Sequence, residues 1–299
     1  MMSEEARDKA SASEWVLHNK QVHDVVADGY DNHHVEIYNP QEQARVKSML
    51  QKALSSVETG AFPLRVLDFG SGTGNLSMHL LSLGAHVVAA DVSEKSLQRL
   101  LSKANATTSI QTWVLNGIDL EGMPDDSFDM VSTYSVLHHV PDYLKAVNEL
   151  VRVTKSGGVI YIDHEVNPSY WTYNKKYCAY LCEMGFEHAR THLGSLGIRN
   201  LRFYIVSIRV KVAAMIGNIL NWGQSKETDI RPAVDEGDIH VTFEDHIEWE
   251  LVEKAISDHC HILMKEDYLV CREGTIEAPA WRKWRNSCSD MRYILARKN

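Results

Sequence analysis

At 299 residues and 44% hydrophobic content, the chain can bury a full core, either as one large domain or as one domain carrying a sizeable insertion. Its formal charge of −9, from 31 Lys and Arg against 40 Asp and Glu, argues against a nucleic-acid partner gripped through backbone phosphates. The start, Met-Met-Ser-Glu-Glu-Ala-Arg-Asp, lacks the basic and apolar regions of a secretory signal, and no stretch approaches the ~18 apolar residues of a membrane span.

Five scattered cysteines (Cys178, Cys182, Cys260, Cys271, Cys288) fit reduced thiols, so a cytoplasmic protein is expected. Cys178 and Cys182 share a helical face, but no second Cys or His pair stands at zinc-site spacing, and no metal is expected. The basic cluster Arg282, Lys283 and Arg285, with Trp281 and Trp284, reads as a solvated helix face.

Residues 1 to about 60 read as helical. Asn39-Pro40-Gln41-Glu42 sets a cap residue, a proline at the first helical position and an acid three after the cap, and predicts a helix to about Val57. From residue 64 to about 165, short apolar runs alternate with helical patterns. The runs are Arg65–Phe69, His86–Ala90, Ile110–Leu115, Phe128–Thr133 and Val159–Ile162, and the alternation predicts parallel strands joined by crossover helices in a doubly wound sheet. Such sheets bind ligands beyond the carboxyl ends of their strands. Further on, Tyr170–Met184 and Ser195–Leu220 have helical periodicity interrupted at Gly185, Gly194 and Gly197, and Asn221–Asp238 reads as a polar loop. A helix Glu244–Ser257 and strands His261–Lys265 and Met291–Ala296 are expected to close the sheet.

The strongest chemical signal is Val66-Leu67-Asp68-Phe69-Gly70-Ser71-Gly72-Thr73-Gly74, a strand entering a glycine turn before a helix near Asn75. Glycine lets backbone approach a ligand closely, but the turn alone also suits dehydrogenases. Asp68, two residues before the first glycine, would repel a pyrophosphate; a carboxylate there can order the loop and bind an ammonium group. Asp91 ends the second strand where a carboxylate accepts from ribose hydroxyls, or else caps the helix after Ser93. Asp119, five places before Pro124, stands where a carboxylate can take an adenine amino group.

These residues, together with Asp91-Val92-Ser93, Ser127-Phe128-Asp129, Val136-Leu137-His138-His139-Val140 and Lys155-Ser156-Gly157-Gly158, resemble the class I, Rossmann-like S-adenosylmethionine-dependent methyltransferases, especially their ubiquinone/menaquinone-type and related small-molecule branch. The resemblance covers residues 64 to 165. It implies strand order 3-2-1-4-5-7-6 with the last strand antiparallel, and S-adenosyl-L-methionine as cofactor with S-adenosyl-L-homocysteine as product. It places Asp68, Gly70, Ser71, Gly72 and Gly74 near the methionine end, Asp91 and Val92 at ribose, Asp119 and Leu120 at adenine, and Ser135 beside the cofactor. Three parts follow: an N-terminal helical lid at residues 1–60, a methyltransferase core at 61–166 and 241–299, and a helical substrate-binding insertion at 167–240.

Tyr30, His33, His34 and Tyr38 precede the capped helix, in a segment that in relatives folds over the cofactor; Tyr30 and Tyr38 are assigned to the cofactor, His33 and His34 to the substrate. His138 or His139 is either a proton acceptor or a packed structural residue, and His139 is the one carried forward. Asp163-His164-Glu165 follows the fifth strand directly, and His164 and Glu165 are the candidate acceptor-side catalytic residues. Tyr170 and Trp171, with Tyr173, suit an aromatic substrate wall, and His240, with Asp238, Asp245 and His246, is a further polar group. After the fourth strand, Thr133-Tyr134-Ser135-Val136 replaces the Asn- or Asp-Pro-Pro-Tyr/Phe of amino-methylating nucleic-acid enzymes, and no Pro-Cys motif serves cytosine chemistry. A small-molecule acceptor follows, methylated on oxygen or nitrogen. Carbon or sulfur acceptors, including quinone-like lipids, a non-catalytic binding module and a dehydrogenase are the competing readings; a homodimer is compatible with all of them.

Overall fold

The computed structural model describes residues 4–27, 29–58, 61–104, 109–172, 174–193 and 246–299, with backbone alone at 4–13, 26, 32–33 and 186–193. Helix α1 (Glu4–Val26) is followed by two single turns, α2 (Tyr30–His33) and α3 (Val35–Tyr38), and by α4 (Pro40–Ser55). Asn39 caps α4 through Oδ1, which accepts from the Glu42 amide at 2.9 Å.

Strands β1 (Arg65–Phe69), β2 (His86–Asp91), β3 (Ile110–Val114), β4 (Phe128–Tyr134), β5 (Thr154–Val166), β6 (Cys260–Tyr268) and β7 (Met291–Lys298) form one sheet in the order 3-2-1-4-5-7-6. Neighbours from β3 to β5 are parallel, while β7 runs antiparallel to both β5 and β6. The crossovers are α5 (Asn75–Ser82), α6 (Glu94–Lys103) and α7 (Tyr143–Val153); α8 (Lys175–Leu193), α9 (Trp249–Ser257) and α10 (Pro279–Trp284) complete the described helices.

The period-2 alternation of strand side chains divides the core. Val66, Val87, Ala89, Met130, Tyr134 and Tyr161 pack with α4, α5 and α6 on one face. On the other, Leu67, Val88 and Val131 meet α7, and Ile160, Ile162 and Ile294 meet α7 and α9. Among the described residues no helix is long and apolar enough to cross a membrane, and no group of three or more His, Cys, Asp or Glu is gathered for a metal.

Four expectations need correction. Helix α8 continues through Gly185, because a lone glycine only lowers helix propensity and does not break a helix. It begins at Lys175 and not near Tyr170, since the Asn174 side chain accepts from the Lys176 and Tyr177 amides and Pro168–Trp171 forms a separate 3-10 turn. Helix α9 starts at Trp249, later than Glu244. Asp163-His164-Glu165 lies inside β5, not after it. One extra residue is accommodated there, as Ile162 pairs with Ile294 but Glu165 with Arg292, and His164 takes a left-handed φ of 62°. The predicted segments Ser195–Leu220 and Asn221–Asp238 fall outside the described residues.

Candidate active site

At the carboxyl edge of β1, β2 and β4 lies a pocket, open to solvent on one side, with about 1020 Å³ of atom-free space. Its floor is the glycine turn from Phe69 to Thr73 with Asn75. Asp91, Val92, Leu115 and Gly117–Leu120 form one wall, Tyr134, Ser135, Val136 and His139 another, and Val16, Asn19, His23, Tyr30, Ile37 and Tyr38 roof it.

The turn is built by left-handed backbone at Gly70 (φ 69°), Gly72 (φ 50°) and Gly74 (φ 105°). A Cβ on Gly70 would stand 2.3 Å from Val136 Cγ2, and one on Gly74 2.3 Å from Leu100 Cδ1; at Gly72 nothing lies within 4 Å, so its open side belongs to the pocket. Two buried polar atoms here have no hydrogen-bond partner among the described residues, Ser71 Oγ and Asn75 Nδ2. Buried groups of this kind are normally satisfied, which points to a ligand that satisfies them.

The three carboxylates of the sequence reading take different stations. Asp68 does not line the pocket. Strand parity turns it toward α5, where it is buried and accepts from Ser77 Oγ at 2.5 Å, and burial pushes its carboxyl up to about 7 against that bond. Asp91 lines the pocket, with one oxygen on the Gly72 amide and the other on the Ser93 amide, each at 2.8 Å. Burial raises its carboxyl despite these donors and the neighbouring His23. Asp119 also lines the pocket and bonds Asn116 Nδ2 at 2.8 Å and Lys145 Nζ at 3.0 Å; these two bonds hold its carboxyl below the usual range.

The roof takes in more of the expected lid than the residues named for it. Tyr38 OH meets Thr73 Oγ1 at 3.1 Å, and Tyr30 packs 4.0 Å from the His34 ring. Helix α1 adds Val16, Asn19 and His23. Asn19 Nδ2 donates to the His139 carbonyl at 2.7 Å, the His23 ring stands edge-on to that of His139 at 5.3 Å, and Ser93 Oγ donates to Asp24 at 2.6 Å. Sequence reasoning missed these residues, although positions 16, 19 and 23 share one helical face and that spacing was the available signal.

Beyond Tyr134 lies a second polar group. Asp163, fully buried, accepts from Arg45 Nη2 at 2.7 Å, Tyr268 OH at 2.9 Å, the His164 amide at 2.7 Å and Tyr161 OH. Arg45 also pairs with Glu42, whose Oε1 accepts from Tyr134 OH at 2.9 Å. One arginine thereby partners two buried carboxylates and ties α4 to β5. His164 stacks on Tyr134 with centroids 4.5 Å apart, and neither ring nitrogen has a partner among the described residues. Burial depresses its pKa, so the ring is neutral at pH 7.

Glu165 has a different place. Its Oε1 accepts from the Val136 and Leu137 amides at 2.9 and 2.7 Å and its Oε2 meets His138 Nδ1 at 2.8 Å, so both oxygens are committed to the turn after β4. The backbone of Ser135 (φ 59°) donates to the Asp163 carbonyl at 3.0 Å. Of the predicted residues, His34, His164, Glu165, Tyr170 and Trp171 do not line the pocket. His34 pairs with Glu36 at 2.9 Å, while Tyr170 and Trp171 are exposed, Trp171 lying against His246 at 5.1 Å. The His33 side chain, Tyr173, Asp238, His240 and Asp245 fall outside the described part of the structure.

Residues 67–162 match a family model described as a methyltransferase domain. Over 98 residues the chain is 40% identical to a demethylmenaquinone methyltransferase of Clavibacter sepedonicus, covering 33% of this chain and 40% of that one. Over 126 residues it is 34% identical to a malonyl-[acyl-carrier protein] O-methyltransferase of Buchnera aphidicola, covering 42% and 48%. The chain thus spans less than half the length of these relatives. A putative sarcosine dimethylglycine methyltransferase from Galdieria sulphuraria shares the fold, with TM-score 0.50 and 14% identity over 87% of this chain and 86% of that one.

Proposed function

With residues 67–162 forming a class I, S-adenosylmethionine-dependent methyltransferase domain, we propose that the protein methylates an oxygen or nitrogen atom of a small molecule. The observation that carries the reading is the pair of unsatisfied buried atoms, Ser71 Oγ and Asn75 Nδ2, on the floor of a pocket walled by Asp91 and Asp119. Bound there, S-adenosylmethionine supplies a methyl group on a positively charged sulfur.

Ser71 and Asn75 hold its amino-acid end, and the open face of Gly72 lets the backbone close on it. Asp91, with an acceptor lone pair left on each oxygen, takes the ribose hydroxyls, beside Val92. The Asp119–Leu120 segment meets the adenine. Gly70, Gly74 and Asp68 shape the turn from below, Asp68 through Ser77. Tyr30, Tyr38 and helix α1 exclude water, which aligns the acceptor with the methyl group in a dry pocket.

On the acceptor side the neutral His164 ring accepts the proton that leaves an O–H or N–H group. This favours oxygen or nitrogen over a thioether, which has no proton to lose. Glu165 is a positioning residue for the Val136–His138 turn, and His139 and Ser135 form the wall between the cofactor and acceptor ends.

Calorimetry with S-adenosylmethionine, S-adenosylhomocysteine and NAD tests the donor. Both sulfur ligands should bind, and binding of NAD alone would overturn the proposal. Transfer of labelled methyl into a metabolite extract then separates an enzyme from a binding module.

A further inference from the structure

We propose that the methyl acceptor is an anion, a small molecule whose carboxylate pairs with Arg272 while its hydroxyl or amine faces His164. This rests on the methyl-transfer reading and adds the acceptor's chemical class.

Strands β5 and β6 end at the same edge of the sheet, and Arg272 lies four residues past Tyr268, the last residue of β6. The two ends are stitched together. Tyr268 OH reaches Asp163, next to His164, at 2.9 Å, and Asp290 bridges them by accepting the Asn167 amide at its carbonyl (2.9 Å) and donating its own amide to the Tyr268 carbonyl (3.0 Å). Arg272 is held by this same Asp290 through Nη1. The lid rests on the same loop: Asn39 Nδ2 donates to the Cys271 carbonyl at 2.7 Å, and a Cβ on Gly274 would stand 3.5 Å from Val35. The Arg272 loop and the His164 bulge therefore belong to one corner of the sheet edge, beneath the lid, close enough that the Arg272 charge acts on the His164 ring.

The charges at this edge select the partner. Glu42 and Asp163 are already paired with Arg45, and Glu36 with His34. Asp290 is fully buried and also accepts from the Val270 amide and Tyr177 OH. Among the described residues Asp290 engages Arg272 at Nη1, and the Nε and Nη2 donors carry no partner, while 23% of the side chain is exposed. A planar guanidinium with spare donors matches a carboxylate geometrically. His164 supplies the second, independent sign of a ligand, a buried imidazole with both nitrogens unsatisfied.

The step balances. The acceptor's oxygen or nitrogen forms the bond to the methyl carbon, the carbon–sulfur bond breaks with its electron pair going to sulfur, and the acceptor's proton passes to His164. The carboxylate remains ionised on Arg272 throughout.

The test divides a metabolite extract on an anion exchanger at pH 7 and supplies each fraction with the protein and methyl-labelled S-adenosylmethionine. Label should enter the retained, acidic fraction. The purified labelled product, titrated into protein saturated with S-adenosylhomocysteine, should bind the wild type and lose at least tenfold in affinity with Arg272→Gln, while Arg272→Lys recovers part of the loss. Both variants should keep S-adenosylhomocysteine affinity within twofold. Label confined to the neutral or cationic fractions overturns the inference and leaves methyl transfer standing, as does product affinity unchanged by Arg272→Gln. Label in no fraction, with S-adenosylhomocysteine bound, refutes methyl transfer itself and the inference with it.

Discussion

Alanine at Gly70 and at Gly72 should separate folding from binding within a single turn. Both glycines hold left-handed backbone, at φ 69° and 50°, which costs a residue with a Cβ about 1–2 kcal/mol. Gly70 carries a second cost. The new Cβ would lie 2.3, 2.6 and 3.0 Å from Cγ2, Cγ1 and Cβ of Val136, so no rotation of that β-branched side chain clears it. Nor can the Val136 backbone easily retreat, since its amide is bonded to the buried Glu165. Overpacking of this kind adds about 1–3 kcal/mol, for a total of about 2–5 kcal/mol in Gly70→Ala. Gly72→Ala meets nothing within 4 Å and bears the backbone term alone. Its methyl group enters pocket space, so it should weaken S-adenosylhomocysteine at least tenfold, about 1.4 kcal/mol. Urea unfolding measures the first effect and calorimetry the second. Equal stability of the two variants, or undiminished affinity in Gly72→Ala, would refute this account of the turn.

Burial raises the Asp68 carboxyl from 3.8 to about 7 in the folded chain, and the direction of its pH effect follows. Below pH 3.8 the group is protonated in both states and costs nothing; as pH rises toward 7 the unfolded chain ionises first and the native state loses up to ~4 kcal/mol at 1.36 kcal/mol per pH unit. Asp68→Asn should therefore gain stability over wild type between pH 4 and pH 8, and a pH-independent difference in denaturant titrations would count against it. Glu165→Ala strips the acceptor from the Val136 and Leu137 amides and should cost about 2–5 kcal/mol, whereas Glu165→Gln retains most of it; an alanine variant that melts with wild type would contradict the clamp. His164→Asn keeps a residue tolerant of positive φ and removes the proton acceptor. Turnover should fall about 10²–10⁴-fold with S-adenosylhomocysteine affinity unchanged, and turnover within threefold of wild type would remove His164 from the chemistry.

The strands, the glycine turn and the Asn39 cap were legible in the sequence because each depends on local forces: side-chain parity, backbone freedom at glycine, and an amide three residues from its acceptor. Asp91, the last residue of β2, and Asp119, five residues past β3, were legible too, on the side where a doubly wound sheet opens its crevice. What chemistry each carboxylate serves depended on tertiary contacts. Asp68 faces α5 because its parity on β1 points there, and Ser77 waits nine residues on. One extra residue in β5 leaves His164 stacked on Tyr134, while Glu165, its neighbour, turns to the amides after β4. No local pattern announces a bulge whose partner strand lies some 130 residues later in the chain. The roof from α1 and the pairing of Arg272 with Asp290 are likewise contacts between distant segments, decided by packing and by the need to satisfy buried charge. Strand order and the glycine turn with Asp91 and Asp119 beside it could be read from local pattern, while the α1 roof, the station of Asp68 and the surroundings of His164 and Arg272 came only with the packing of α1, β5, β6 and the segment before α4.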